Sequence, residues 1–152
     1  MRPYRDTTGA TTVVAMRTRA ITLLATVLAT VRHGADSVTA TLRFVDLRAG
    51  HWQDFSLRVR SDRPFRRAIV TVDPAHPGGR DRLLDRAEHR LACPGLHHDV
   101  DYAADTVRIV LPRTCAGGPA WVRVALGTHL PDAVEVHHVG AVELRCLGWE
   151  AS

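Results

Sequence analysis

The chain contains neither lysine nor asparagine, so all twenty of its cationic side chains are arginine. A guanidinium is a chemical choice over an ammonium only where lysine was a real alternative. Codon pressure from a GC-rich genome accounts for the bias, and no single Arg by itself implies a phosphate or carboxylate partner. Long apolar runs are also lacking. The stretch Ala20 to Val31 (AITLLATVLATV) is twelve residues without a charge, short of the about 20 that a transmembrane helix needs, so no stable membrane span is expected. Ser56, Ser61 and Thr114 have no nucleophile-elbow context. Gly78-Gly79 and Gly117-Gly118 lack the strand-loop-helix setting of a phosphate-cradling loop. An internal repeat and a long helical period are missing as well.

What is present is enough to fold. Apolar residues make up 45% and charged residues 24% of the 152 residues, a balance that supports one buried core and one domain. The net charge of +4 is concentrated at the N-terminus, where Arg2, Arg5, Arg17, Arg19 and Arg32 face only Asp6; the rest holds fifteen Arg and fifteen acids. A near-neutral body does not generate the field that steers a protein to a polyphosphate, so nucleic acid is not an expected partner. Local basic patches stay open.

Arg17 and Arg19 precede the apolar run, and Met16 offers a second start. This is the order of a basic n-region and an apolar h-region, which predicts an N-terminal apolar helix acting as a signal peptide. The alternative is a buried amphipathic segment. Cleavage after Val27-Leu28-Ala29 obeys the small-residue rule but shortens the h-region; cleavage at Ala35 places the bulky His33 at the third position. The expected organisation is a leader over 1–30, a β-domain over 31–145 and a tail over 146–152, with the product secreted or at the cell surface.

Alternation begins after Ser37: Val38, Ala40, Leu42 and Phe44 share one face, Thr39, Thr41 and Arg43 the other. It returns at Phe55, Leu57 and Val59, less cleanly over Ala68 to Val72, and again through Trp121 to Leu126, Val134 and Val136, and Ala141 to Leu144. His98, Val100 and Tyr102 lead through Ala103-Ala104-Asp105-Thr106 to Val107, Ile109 and Leu111, the clearest hairpin. Asp73-Pro74 and Pro77-Gly78-Gly79 predict a loop, Pro131-Asp132 a turn. Asp81 to Leu91 fits a short helix and a polar hairpin equally well. Seven or eight short strands predict an all-β fold, a two-sheet sandwich or jelly roll.

Cys93 and Cys115 flank that hairpin, so closing it brings them near each other. A bridge there closes about 20 residues and in the chain-entropy model contributes around 3 kcal/mol. Cys146 is left over. The block from Cys93-Pro-Gly-Leu-His-His through Asp101-Tyr-Ala-Ala-Asp-Thr-Val-Arg108 to Cys115, followed by Pro119 to Val124, resembles a group of uncharacterised secreted β-domain proteins of actinobacteria. Val31 to His33 leading into Val38 to Leu47 is similar to their first strand pair. The resemblance covers roughly residues 31–142. It implies a signal-bearing, β-sandwich-like domain with Cys93 and Cys115 bridged, and it brings no activity or substrate. The apolar run abuts Val31 directly, where those proteins carry an additional segment, and Cys146 and the tail depart from their pattern.

The nine His include the doublets His97-His98 and His137-His138. Neighbours on a strand point to opposite faces, so a doublet cannot close on one ion without a bend. Cys93, Cys115 and His97 or His98 are acceptable zinc ligands at unsuitable spacing, and no metal or other cofactor is expected. Asp99, Asp101 and Asp105 form a partial calcium shell on paper, but Asp105 reads more simply as a turn residue and Asp101 as an acceptor for nearby backbone N–H groups. Trp121 reads as a core or core-edge residue, whereas Trp52, in the turn Gly50-His51-Trp52-Gln53, is the better candidate for an exposed contact. The candidate binding residues are therefore Trp52, His97, Asp99 and Asp101, with no catalytic residue assigned. They suit a noncatalytic exported domain recognising a cell-wall component, a glycan or a protein. The alternatives are a small extracellular hydrolase or metal-dependent enzyme using His97, His98, Asp99 or Asp101, and a protein retained in the membrane by its N-terminal segment.

Overall fold

The computed structural model describes the backbone of residues 11–15, 26–129 and 137–145, and the side chains of 28–129. Within these residues the chain is all strand and turn, as the alternating pattern requires. One antiparallel sheet has five strands in the order β1 (Thr11–Ala15), β2 (Thr26–His33), β3 (Ser37–Phe44), β9 (Thr106–Pro112) and β8 (His97–Asp101). The other has six: β11 (His137–Arg145), β10 (Trp121–His129), β4 (Gln53–Ser61), β5 (Arg66–Asp73), β6 (His76–Leu84) and β7 (Arg90–Leu91). The chain crosses between sheets from β3 to β4, from β7 to β8 and from β9 to β10, while β3 pairs with β9 and β4 with β10. The first and last of these crossings therefore interlock.

Period two decides what each sheet buries. Val38, Ala40 and Leu42 of β3 and Val107, Ile109 and Leu111 of β9 turn inward from one layer. Phe55, Leu57 and Val59 of β4, Ala68, Val70 and Val72 of β5, and Val122, Val124 and Leu126 of β10 meet them from the other. Phe44 and Phe55 join the layers edge to face, with ring centroids 5.5 Å apart. The second half of the apolar run, Thr26 to Val31, lies in β2, and Ala29 and Val31 enter this core. Its first half, together with most of the expected N-terminal helix, lies outside the described residues, as do the Pro131-Asp132 turn and Cys146.

Two readings of the sequence are corrected or resolved. Pro77-Gly78-Gly79 is not a loop: only Pro74 and Ala75 make the turn, and β6 has already begun at His76. Asp73 makes that tight reversal possible, because its Oδ1 accepts from the backbone N–H groups of Ala75 (2.9 Å) and His76 (2.8 Å). The segment Asp81 to Leu91 is a hairpin, not a helix. Leu83 of β6 is buried, and the chain reverses through Asp85 to His89 with Glu88 at φ 65° before β7.

Cys93 and Cys115 are bonded, with Cα atoms 5.8 Å apart. Cys93 lies on the connection from β7 to β8 and Cys115 on that from β9 to β10, so the bridge joins two sheet-to-sheet crossings. Arg66 of β5 adds a hydrogen bond from Nε to the Cys115 carbonyl at 3.1 Å.

Candidate functional site

The residues singled out from the sequence do not assemble into one site. His97, Asp99 and Asp101 alternate along the outer side of β8, an edge strand. The His97 ring donates to the Gly95 carbonyl (3.2 Å), and Asp99 is exposed opposite Arg108. Asp101 accepts from the N–H groups of Ala103 and Ala104, both at 2.9 Å, and so shapes the β8–β9 turn. Asp105 takes φ 56° in that turn, and its carboxylate accepts from the Leu47 N–H at 2.8 Å. Each of these two carboxylates has a backbone to hold, the simpler of the two roles foreseen. Trp52 lies in the connection just before β4 of the other sheet. It is 37% exposed and stands edge-on to His129, with centroids 5.9 Å apart.

His98 turns away from His97, as strand geometry demands. Its two ring nitrogens face the Asp81 carboxylate (2.7 Å) and the Gly78 carbonyl (3.0 Å), both on β6. Tyr102 repeats the theme, its hydroxyl donating to the Pro77 carbonyl at 2.7 Å. These contacts tie β8 of one sheet to β6 of the other. Among the described residues, no group of three or more His, Cys, Asp or Glu side chains is placed to hold a metal ion.

A concentration of like charge lies elsewhere, on the outer face of the six-stranded sheet. Inward-facing Leu57 and Val59 leave Arg58 and Arg60 pointing outward from β4. The register sets Arg58 opposite Arg67 of β5 and Arg60 opposite Arg123 of β10, so like charges face each other on two adjacent strand pairs. On its β10 side Arg58 stands opposite Ala125, whose small side chain leaves room. The Asp85–His89 turn brings Arg86 over the Phe65 ring, with the guanidinium carbon 5.8 Å from the centroid.

These groups line a hollow of about 400 Å3, to which Asp85 and Glu88 also contribute. An adjoining hollow of about 230 Å3 is bounded by Arg60, Phe65, Arg86 and Arg123, and by Trp121. Glu88 pairs with Arg67 at 3.1 Å, and Asp85 is taken by the backbone N–H and ring of His89. Arg58, Arg60 and Arg86 have no carboxylate partner among the described residues, and the Nε of Arg67 is buried without an acceptor. Burial pushes the Arg58 guanidinium below its usual range, with Arg67 and Arg60 pushing the same way and Glu88 opposing.

Sequence reasoning missed this face. Its residues are ordinary outward positions of amphipathic strands in a chain whose every cation is Arg. Only the spacing Arg58–Arg60 followed by Arg66–Arg67 across a short turn carried a signal. Trp121, read as a core-edge residue, is half-buried and borders the smaller hollow. Comparison of the chain with protein-family models, with curated proteins and with solved structures finds no match.

Proposed function

We propose that the chain is an exported, noncatalytic binding domain of the cell envelope that recognises a glycan on the outer face of its six-stranded sheet. The observation that carries this reading is the company kept by Trp121 and Phe65. Both aromatic side chains border one hollow with Arg60 and Arg86. Aromatic rings offer an apolar face to the C–H side of a sugar, and guanidinium groups donate to its oxygens. Arg60 and Trp121 stand on the paired strands β4 and β10, and the β4–β5 and β6–β7 turns add Phe65 and Arg86. The stacked ring and guanidinium are already in contact, which reduces the ordering cost of binding.

Export rests on the resemblance to secreted actinobacterial β-domains and on the bridge between Cys93 and Cys115, since structural disulfides persist chiefly in oxidising compartments. Among the described residues no helix is long and apolar enough to cross a membrane.

The test is cosedimentation of the full chain with insoluble cell-wall polysaccharide from an actinobacterium, compared with Trp121→Ala. Retention of the parent and loss of the variant, at matched thermal stability, is the expected result. Equal retention of both, or of neither, would remove the glycan reading.

A further inference from the structure

The arginine-lined hollow on the six-stranded sheet is built for more than a neutral sugar. We infer that its ligand carries a tetrahedral oxyanion ester, phosphate or sulfate, seated between Arg58, Arg60 and Arg86 while the attached sugar lies toward Phe65 and Trp121. This assignment rests on the glycan reading and narrows it to charged glycans.

Like charges directly opposite on adjacent strands are destabilising, yet the register places Arg58 against Arg67 and Arg60 against Arg123. Codon pressure explains why these cations are Arg rather than Lys. It does not explain why Arg58, Arg60 and Arg67 share one face, because the chain after Arg32 has as many acids as arginines and does set an acid, Glu143, opposite Arg123 on the neighbouring β10–β11 pair. Glu88 pairs with Arg67 and reaches Arg58 only through its field, and Asp85 is occupied by His89. Burial lowers the Arg58 guanidinium, Arg67 and Arg60 add to the shift, and Glu88 opposes it.

Ligand geometry favours a tetrahedral group over a carboxylate. A guanidinium donates as a two-pronged fork, and one fork spans both oxygens of a planar carboxylate. Phosphate and sulfate esters keep three further oxygens and can accept from two or three forks together. The hollow of about 400 Å3 falls within the about 300–1,000 Å3 usual for small-ligand sites and admits a sugar-sized unit.

The experiment measures binding of the full chain to phosphorylated, sulfated, carboxymethylated and neutral dextran of matched size and charge density, by calorimetry at 150 mM salt. Two double variants accompany it. Arg58→Gln with Arg60→Gln empties the proposed seat. Arg43→Gln with Arg108→Gln removes the same charge from the opposite sheet, where both side chains are exposed.

The expected outcome is that phosphorylated or sulfated dextran binds at least tenfold more tightly than the carboxymethylated polymer. Whichever of the two is tighter identifies the ester. The Arg58/Arg60 variant should weaken that binding tenfold or more, and the Arg43/Arg108 variant less than threefold. Equal affinity for the carboxymethylated polymer, or equal losses in the two variants, would overturn the inference. Wall polysaccharide retained by the Arg58/Arg60 variant but lost by Trp121→Ala would leave glycan binding standing and remove only the oxyanion ester.

Discussion

Arg58 faces Arg67 directly across the β4–β5 pair, each a guanidinium-bearing residue at an outward position, and of the two only Arg67 makes an ion pair, with Glu88 at 3.1 Å. A site that crowds cations before its ligand binds gives up stability that a neutral surface would keep. Arg58→Glu is therefore expected to stabilise the free protein by about 0.5–1 kcal/mol, by replacing a repulsive cross-strand pair with an attractive one. For a domain of this size that is a rise in Tm of about 1–4 °C. The gain should shrink in 0.5 M salt, where exposed charges are screened. Thermal unfolding at two salt concentrations checks this; a lower Tm at low salt would show that Arg58 is held by something other than its charge environment.

Gly79 sits inside β6 at φ +87°, and a Cβ placed on it would lie 3.0 Å from both the His98 ring and a methyl of Val70. Gly79→Ala should cost about 1–3 kcal/mol from backbone strain and crowding combined. Gly78→Ala, which meets no atom within 4 Å, should stay within about 0.5 kcal/mol of the parent. Part of the Gly79 penalty should vanish in a His98→Ala background, because the ring is one of the two obstacles. Urea unfolding of the parent, the two single variants Gly79→Ala and His98→Ala, and their double variant gives the coupling, and strict additivity would mean that the ring moves aside freely.

The strands that were legible are those whose inward residues alternate without interruption. Val38 to Phe44, Phe55 to Val59 and Val107 to Leu111 announce β3, β4 and β9 because each buries one face and wets the other. The Cys93–Cys115 bridge was legible for a related reason: the hairpin between them sets their distance by local geometry. β6 was not legible, because Pro77-Gly78-Gly79 has turn composition. Gly79 serves there as a flat place on which the His98 ring from the other sheet can rest, and that neighbour is invisible until both sheets are paired. The arginine face was hidden in another way. Arg60 and Arg123 are 63 positions apart in the sequence and become neighbours only through the β4–β10 register. The candidates His97, Asp99 and Asp101 were drawn from a single strand, where sequence proximity substitutes for the spatial convergence that a site needs.

Removing the disulfide tests how much the two crossings depend on it. Cys93→Ser with Cys115→Ser should lower stability by about 3 kcal/mol, since the bridge closes a loop of 22 residues' separation. The buried core is built mainly from strand residues, with the two cysteines only packed against it, so the variant should remain folded at 25 °C. Denaturant unfolding supplies the number. Intact mass after alkylation supplies the thiol count: one labelled cysteine before reduction and three after, in a chain recovered from the medium. Three labelled without reduction would deny the bridge.

Acid sensitivity should centre on two turns. The backbone N–H of His89 holds the Asp85 carboxyl below its usual range, desolvation opposes it, and the His89 ring lowers it further. For Asp73 desolvation is the largest influence and acts upward, but the ring and backbone N–H of His76 and the N–H of Ala75 together outweigh it, so its carboxyl is also lowered. A carboxyl whose folded-state pKa is depressed contributes its full stability above the unfolded value, here 3.8, and loses it as pH falls through the lower folded-state value. Stability should therefore be level from neutrality down to about pH 5 as far as these groups are concerned, then fall. Asp73→Asn and Asp85→Asn each remove one such titration while keeping an acceptor oxygen for the backbone. Urea midpoints measured between pH 2 and 7 should show a shallower acid limb in each variant and a shallower one still in the double variant. An unchanged limb would place the acid-sensitive groups elsewhere in the chain.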